Sequence, residues 1–153
     1  MSSVQIKITL DGLDKLRAKL LANAPKVRPA VKAELYQFAE EVMAISKERV
    51  PVLTGALMNT GKVMPPTEDG TVVSVVMGYG DESAPYALYV HEALEGQHPI
   101  NPDWSWAKAA AAGKTIQWTR PGSGPKYLEN PVKENQDKLP ERIVRVYKDT
   151  LLS

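Results

Sequence analysis

Both histidines of the chain lie in one stretch, PYALYVHEALEGQHPINP, running from Pro85 to Pro102. His91 and His98 flank Glu92 and Glu95, and Asp103 follows. Imidazole nitrogens and carboxylate oxygens are ligands for zinc and similar ions, and a carboxylate beside such an ion can act as a general base. The spacing suits that chemistry poorly. A zincin helix carries its histidines four residues apart with the glutamate between them. Here the second histidine follows the first by seven residues, and Gly96 and Pro99 interrupt any helix that would hold both. A closed site takes about four ligands, and the chain has no third histidine and no cysteine. Glu92, Glu95 and Asp103 would have to supply oxygens. The reading that keeps a metal is a small metal-dependent hydrolase using His91, Glu92 and His98. The plainer reading sets His91 and Glu95 one turn apart on a helix surface and His98 in a loop.

Other chemistries find less support. There is no Gly-x-Ser-x-Gly elbow for a serine nucleophile. Gly122-Ser123-Gly124 and the pair Gly78/Gly80 lack the strand–glycine–helix setting of a phosphate loop. The Glu40-Glu41 pair suits a solvated helix face. No cofactor motif appears, so no cofactor is expected. The formal net charge of +1 gives no general attraction for nucleic acid or an acidic membrane. The first residues, MSSVQIKITLDGLDK, lack the basic and apolar regions of a signal peptide, and no run approaches the ~20 apolar residues of a membrane span. The absence of cysteine is compatible with a reducing cytosol.

The elements that would position these residues can be read from periodicity. In VQIKITL, Val4, Ile6, Ile8 and Leu10 share one face and Gln5, Lys7 and Thr9 the other, which predicts a half-buried strand. Asp11 can cap a short helix carrying Leu13, Leu16 and Leu20. A long amphipathic helix is expected over about 27–49, with Val31, Leu35, Phe38, Val42 and Ile45 as its stripe. Pro29 is placed in its first turn and Val50-Pro51 at its end. That stripe suits either a core or a seam between subunits. Lys62–Met64 and Val72–Tyr79 read as a hairpin, with Thr67–Gly70 as a polar turn. The run Val72–Met77 is apolar on both faces, as in a covered strand. Ser83 as cap, Pro85 in the first turn, and Tyr86, Tyr89, Val90 and Ala93 at helical spacing favour a short helix ended by Gly96. Alternation of Tyr86, Leu88 and Val90 leaves a strand open. The segment from Gln97 to Pro125 is irregular and carries all three tryptophans, Trp104, Trp106 and Trp118. From Lys126 onward the pattern is helical, through Leu128, Val132, Leu139, Ile143, Val146 and Thr150, and is kinked or divided at Pro140. The expected fold class is therefore α+β in one domain spanning 1–153. A small antiparallel sheet is packed by a long helix in the N-terminal half and by a C-terminal helix, with an irregular insert at about 97–124.

Three separated stretches carry a resemblance. VPVLTGALMNTG (50–61), PYALYVHE (85–92) and PKYLENPV (125–132) occur in order, after a long helix and before a last one. In this order they resemble the tail-completion, or head–tail joining, family of long-tailed bacteriophages, whose members are also called neck or minor tail proteins. The matching positions are Thr54-Gly55-Ala56-Leu57, Tyr86-Ala87-Leu88-Tyr89-Val90-His91-Glu92 and Lys126-Tyr127-Leu128-Glu129-Asn130-Pro131. The match covers about 27–150. Leu53 stands where that family usually has Asp, and Met58 where it commonly has Arg.

The resemblance implies a non-enzymatic virion subunit made in the host bacterial cytoplasm. Such subunits assemble as a homo-oligomeric ring at the neck, between connector or portal-side proteins and tail-tube-side proteins, with DNA passing through and no sequence-specific nucleic-acid contact. Thr54, Gly55, Leu57, Tyr86, Tyr89, His91, Glu92, Trp104, Trp106 and Trp118 are the residues expected in assembly. Over two dozen residues of irregular pattern are uncommon unless functional or disordered, so the tryptophan-bearing insert is expected to be an interaction loop. The alternative is that its rings fold back onto their own domain.

Overall fold

The alternation of VQIKITL becomes strand β1 (Val4–Leu10). The protein's structure is a computed structural model describing residues 3–10, 24–52, 55–70, 72–85, 87–92 and 122–152. Strand β1 pairs antiparallel with β4 (Val72–Tyr79), setting Val4, Ile6, Ile8 and Leu10 opposite Tyr79, Met77, Val75 and Val73. Because strand side chains alternate, this register places Val4, Ile6 and Ile8 on the same side of the sheet as Val75, Met77 and Tyr79. Strand β4 is central. Its other edge carries β2 (Lys62–Val63) and β3 (Thr67–Asp69), also antiparallel.

Strands β2 and β3 form one edge broken by a bulge. Three residues, Met64 to Pro66, span the interval that Val75 and Val76 span on β4, and the Met64 N–H donates to the Val76 carbonyl at 2.7 Å. Pro65 and Pro66 have no N–H to offer a ladder, so the extra residue falls at them. The polar turn expected over Thr67–Gly70 is thereby corrected. Thr67, Glu68 and Asp69 are an exposed edge strand, and the reversal begins at Gly70, with φ +59°.

The long helix α1 (Ala24–Arg49) begins earlier than its apolar stripe suggests, so Pro29 lies in its second turn and not its first. Pro25 and Pro29 are both exposed, so the donor that Pro29 lacks is missing from the solvated side of the helix. Val27, Val31, Leu35, Phe38, Ala39, Val42, Met43 and Val50 are buried; Ile45 is half-buried, and Ser46 is fully buried beside the stripe. Helix α1 packs against β4 on one side and against the C-terminal helices on the other, so its stripe is core. Each fully buried Leu, Val or Phe side chain contributes about 1.5–3 kcal/mol of burial. A one-turn helix, α2 (Ala56–Asn59), follows. Next come β2 to β4 and then α3 (Ala87–Glu92).

Helix α3 differs in its start from the expectation. The Ser83 N–H and hydroxyl both bond to the Asp81 side chain, at 2.8 and 2.6 Å. Asp81, not Ser83, therefore organises this turn, and Pro85 lies before the helix. The C-terminal part forms α4 (Glu129–Asn135), a 3₁₀ turn (Gln136–Lys138) and α5 (Leu139–Leu152). Pro140 falls in the first turn of α5, where a missing donor costs nothing, so the division occurs before it. Leu139 and Ile143 are buried against α1. Arg142 reaches across to Glu34 and Glu41, with its guanidinium 5.5 Å from the Phe38 ring centroid. The architecture is α+β: a small antiparallel sheet with a long helix and a C-terminal helix.

Candidate functional site

The stretches 85–92 and 125–132 meet across the top of α1. Their meeting point is built on Ser46, a small polar residue at a fully buried position of that helix. The Ser46 hydroxyl donates to the Tyr127 carbonyl at 2.7 Å. A serine has one proton to give, so at the 2.9 Å contact between Ser46 Oγ and Tyr79 the tyrosine hydroxyl is the donor. The Tyr127 hydroxyl in turn donates to the Ala87 carbonyl at 2.7 Å. The Tyr79 and Tyr127 rings meet edge to face, with centroids 5.1 Å apart. Strand β4, helix α1, helix α3 and the segment leading into α4 are thus tied by one buried chain of hydroxyls and carbonyls.

His91 closes that chain on its outer side. Its side chain is 4% exposed, and its ring lies edge to face on Tyr127, with centroids 5.0 Å apart. The surface position one turn from Glu95 is therefore corrected: His91 points inward. Its Nε2 accepts the Glu129 N–H at 3.2 Å, and its carbonyl accepts the Lys126 N–H at 2.8 Å. A nitrogen that accepts carries no proton in the neutral ring. The proton therefore sits on Nδ1 and is donated to Glu92 Oε1 at 2.7 Å. Burial pushes the His91 imidazole below the ordinary histidine range, against the opposing pull of the Glu92 carboxylate.

Outside this layer lies a charged one. The Lys126 ammonium bonds Glu92 at 2.6 Å and Glu129 at 2.9 Å, and Lys133 also pairs with Glu129. Hydrogen bonds from Lys133 and Lys126 hold the Glu129 carboxyl down at about 2, and those from Lys126 and His91 lower Glu92. Lys126 adopts φ +57°, the left-handed region that side chains disfavour.

One ligand atom each from His91, Glu92 and Glu129 lies within 4.8 Å of the others. Glu129 was not foreseen as a neighbour of His91, and His98 lies outside the described residues. The three atoms are already engaged. The Nε2 lone pair is filled by a backbone N–H, Nδ1 bears a proton, and an ammonium stands between the carboxylates. A divalent ion would have to displace all of these.

The remaining stretch, 50–61, joins the same structure through Tyr79. Thr60 donates to the Leu57 carbonyl at 2.7 Å and accepts the Gly80 N–H at 2.9 Å. Gly61 lies beneath the Tyr79 ring, where an added Cβ would approach Cε1 to 2.5 Å. Gly55 holds φ +86° ahead of α2, and Leu57 is buried. The turn expected at Thr54-Gly55 is thus described at Gly55. Thr54, Tyr86, Trp104, Trp106 and Trp118 lie outside the described residues, as does the side chain of Tyr89. Glu92 is half-exposed. The residues missed by the sequence reading are Ser46, Tyr79 and Tyr127, the hub of the network. Their signal was a serine within an apolar helical stripe, together with tyrosines at buried strand and loop positions. Compared with models of known families, with curated proteins and with solved structures, the chain matches none.

Proposed function

We propose that the protein is a structural subunit of a phage virion. It forms a ring at the head–tail interface that joins the connector or portal side to the tail side. The carrying observation is the convergence of the three stretches 50–61, 85–92 and 125–132 on one buried network around Tyr79 and Tyr127. Among the described residues of these stretches, Thr60, Gly61, Ala87 and Tyr127 thus act together as a folding signature. On this reading Gly55 and Leu57 shape the turn after α1. His91 sets the position of α3, and Glu92 with Tyr86 and Tyr89 belongs to the assembly face. Trp104, Trp106 and Trp118 supply contact area to neighbouring subunits.

The test is the mass distribution of the purified chain, alone and mixed with connector and tail-tube proteins. A discrete ring in either condition supports the reading, and a persistent monomer in both overturns it. The metal-dependent hydrolase reading uses His91, Glu92 and His98; of these the described residues include His91 and Glu92, which Glu129 joins in one group. Elemental analysis of untagged protein discriminates between the two. Well under one zinc or manganese per chain is expected; a full equivalent that disappears in His91→Ala would favour the hydrolase.

A further inference from the structure

We propose that His91 is a pH-sensitive clasp: taking a proton on Nε2 releases helix α3 from the turn at Lys126–Glu129. The geometry leaves the ring one closed state. The neutral Nδ1–H form satisfies Glu92 and accepts the Glu129 N–H together. A proton on Nε2 turns that acceptor into a donor and points two N–H groups at each other.

The surroundings determine whether the closed form could keep the charged ring. Glu92 on the same helix and Glu129 at the start of α4 both favour the imidazolium, and Lys126 opposes it. From the lead-in to α4, the Tyr127 ring presents apolar surface to the imidazole, and Tyr79 of β4 packs against Tyr127. Lys126 already occupies both carboxylates, which weakens their pull, and removal from water is the largest influence on the ring.

The sign follows. The closed clasp holds the imidazole below its ordinary value of 6.5, so the opened state binds more protons in the interval beneath 6.5. The clasp's stability is complete above about pH 6.5, falls as pH drops through that interval, and stops falling below the closed-state value. Glu92 and Glu129 lose their contributions in a lower window, beneath 4.5 and down to about 2 for Glu129. Between 6.5 and 4.5 the imidazole's contribution therefore stands apart from theirs.

The experiment uses the full chain, ¹⁵N-labelled, with His98→Gln so that His91 is the single titrating imidazole. At pH 7.5 the ring nitrogens should report the Nδ1–H tautomer, and the Glu129 amide should be protected from exchange. Between pH 6.5 and the His91 midpoint, protection of the Glu129 amide, corrected for intrinsic exchange, should fall by up to about tenfold per pH unit. In His91→Gln that dependence should vanish. Should the variant fail to fold, the titration of the parent chain still decides. An Nε2–H tautomer at neutral pH, or Glu129 protection unchanged through the His91 titration, overturns the proposal.

Discussion

The two layers of the clasp use similar numbers of polar contacts under opposite conditions. The inner layer (Ser46, Tyr79, Tyr127 and His91) is uncharged and buried, with Ser46 and Tyr127 at 0% exposure. The outer layer (Glu92, Lys126, Glu129 and Lys133) is charged and between 30% and 63% exposed. An unpaired hydroxyl or carbonyl inside cannot turn to water, so losing its partner costs about 1–3 kcal/mol. An ion pair outside can be replaced by hydration, and its worth is about 0–1 kcal/mol. The short distances in the outer layer therefore do not make it the stronger one. The inner layer fixes which elements meet, and the outer layer trims how they sit.

The sharpest way to break this comparison is Tyr127→Ala. It removes a fully buried ring that touches Tyr79 and His91, together with the hydroxyl that donates to the Ala87 carbonyl. A loss of about 3–5 kcal/mol in denaturant unfolding is expected. A loss under ~1 kcal/mol would mean the hub is not a core. Smaller but more specific are Ser46→Ala and Tyr127→Phe, each about 1–3 kcal/mol. Ser46→Ala removes the bonds to the Tyr127 carbonyl and the Tyr79 hydroxyl; Tyr127→Phe removes only the bond to the Ala87 carbonyl. Ser46→Ala should therefore cost more, and the reverse order would show that Ser46 is not the junction.

How much of this was legible beforehand depends on where each residue's partner sits. Strand β1, helix α1 and strand β4 follow from patterns in Val4–Leu10, Val31–Val42 and Val72–Tyr79, because burial of one face repeats with the backbone period. Strand β3 was not legible. Thr67, Glu68 and Asp69 are all exposed, so no side chain marks the pairing, and a polar run after two prolines reads as a turn. His91 was misplaced for a related reason. Its spacing to Glu95 says which residues share a helix face but not which face packs, and its partners Tyr127 and Glu129 lie more than thirty positions on. Opposite charges at Glu92 and Lys126, each beside a tyrosine-bearing stretch, were the available hint.

The outer layer should reveal itself through pH and salt. The Glu92 and Glu129 carboxyls are held low by Lys126 and Lys133, so the folded state stabilises their charged forms. That contribution is present above their ordinary value of 4.5 and is lost as pH falls toward about 2, where Glu129 finally takes its proton. Urea unfolding at pH 5 and pH 3 should show the decrease, and Glu129→Gln should remove only its own share, since Glu41, Glu68, Asp81 and Glu134 are held low too. Because these groups are exposed, about 0.5 M salt should also shrink the difference. An undiminished difference at high salt would place the pairs in a drier setting than their exposure indicates.

The smallest effect is expected at Lys126, where two influences oppose each other. Its ammonium joins Glu92 to Glu129, yet its backbone sits at φ +57°. A left-handed conformation costs a residue with a Cβ roughly 1–2 kcal/mol, and glycine is free of that cost. Glycine also loses about 0.4–1 kcal/mol through the greater freedom of the unfolded chain, and exposed ion pairs add at most about 1 kcal/mol. Lys126→Gly should therefore change stability by less than ~1 kcal/mol in either direction. Lys126→Asn separates the contributions, since asparagine tolerates this conformation and carries no charge. If Asn and Gly behave alike and both stay near the parent, the charged rim contributes little and the comparison stands. If both lose more than ~2 kcal/mol, the rim matters as much as the buried hub, and the division into a strong inner layer and a weak outer one fails.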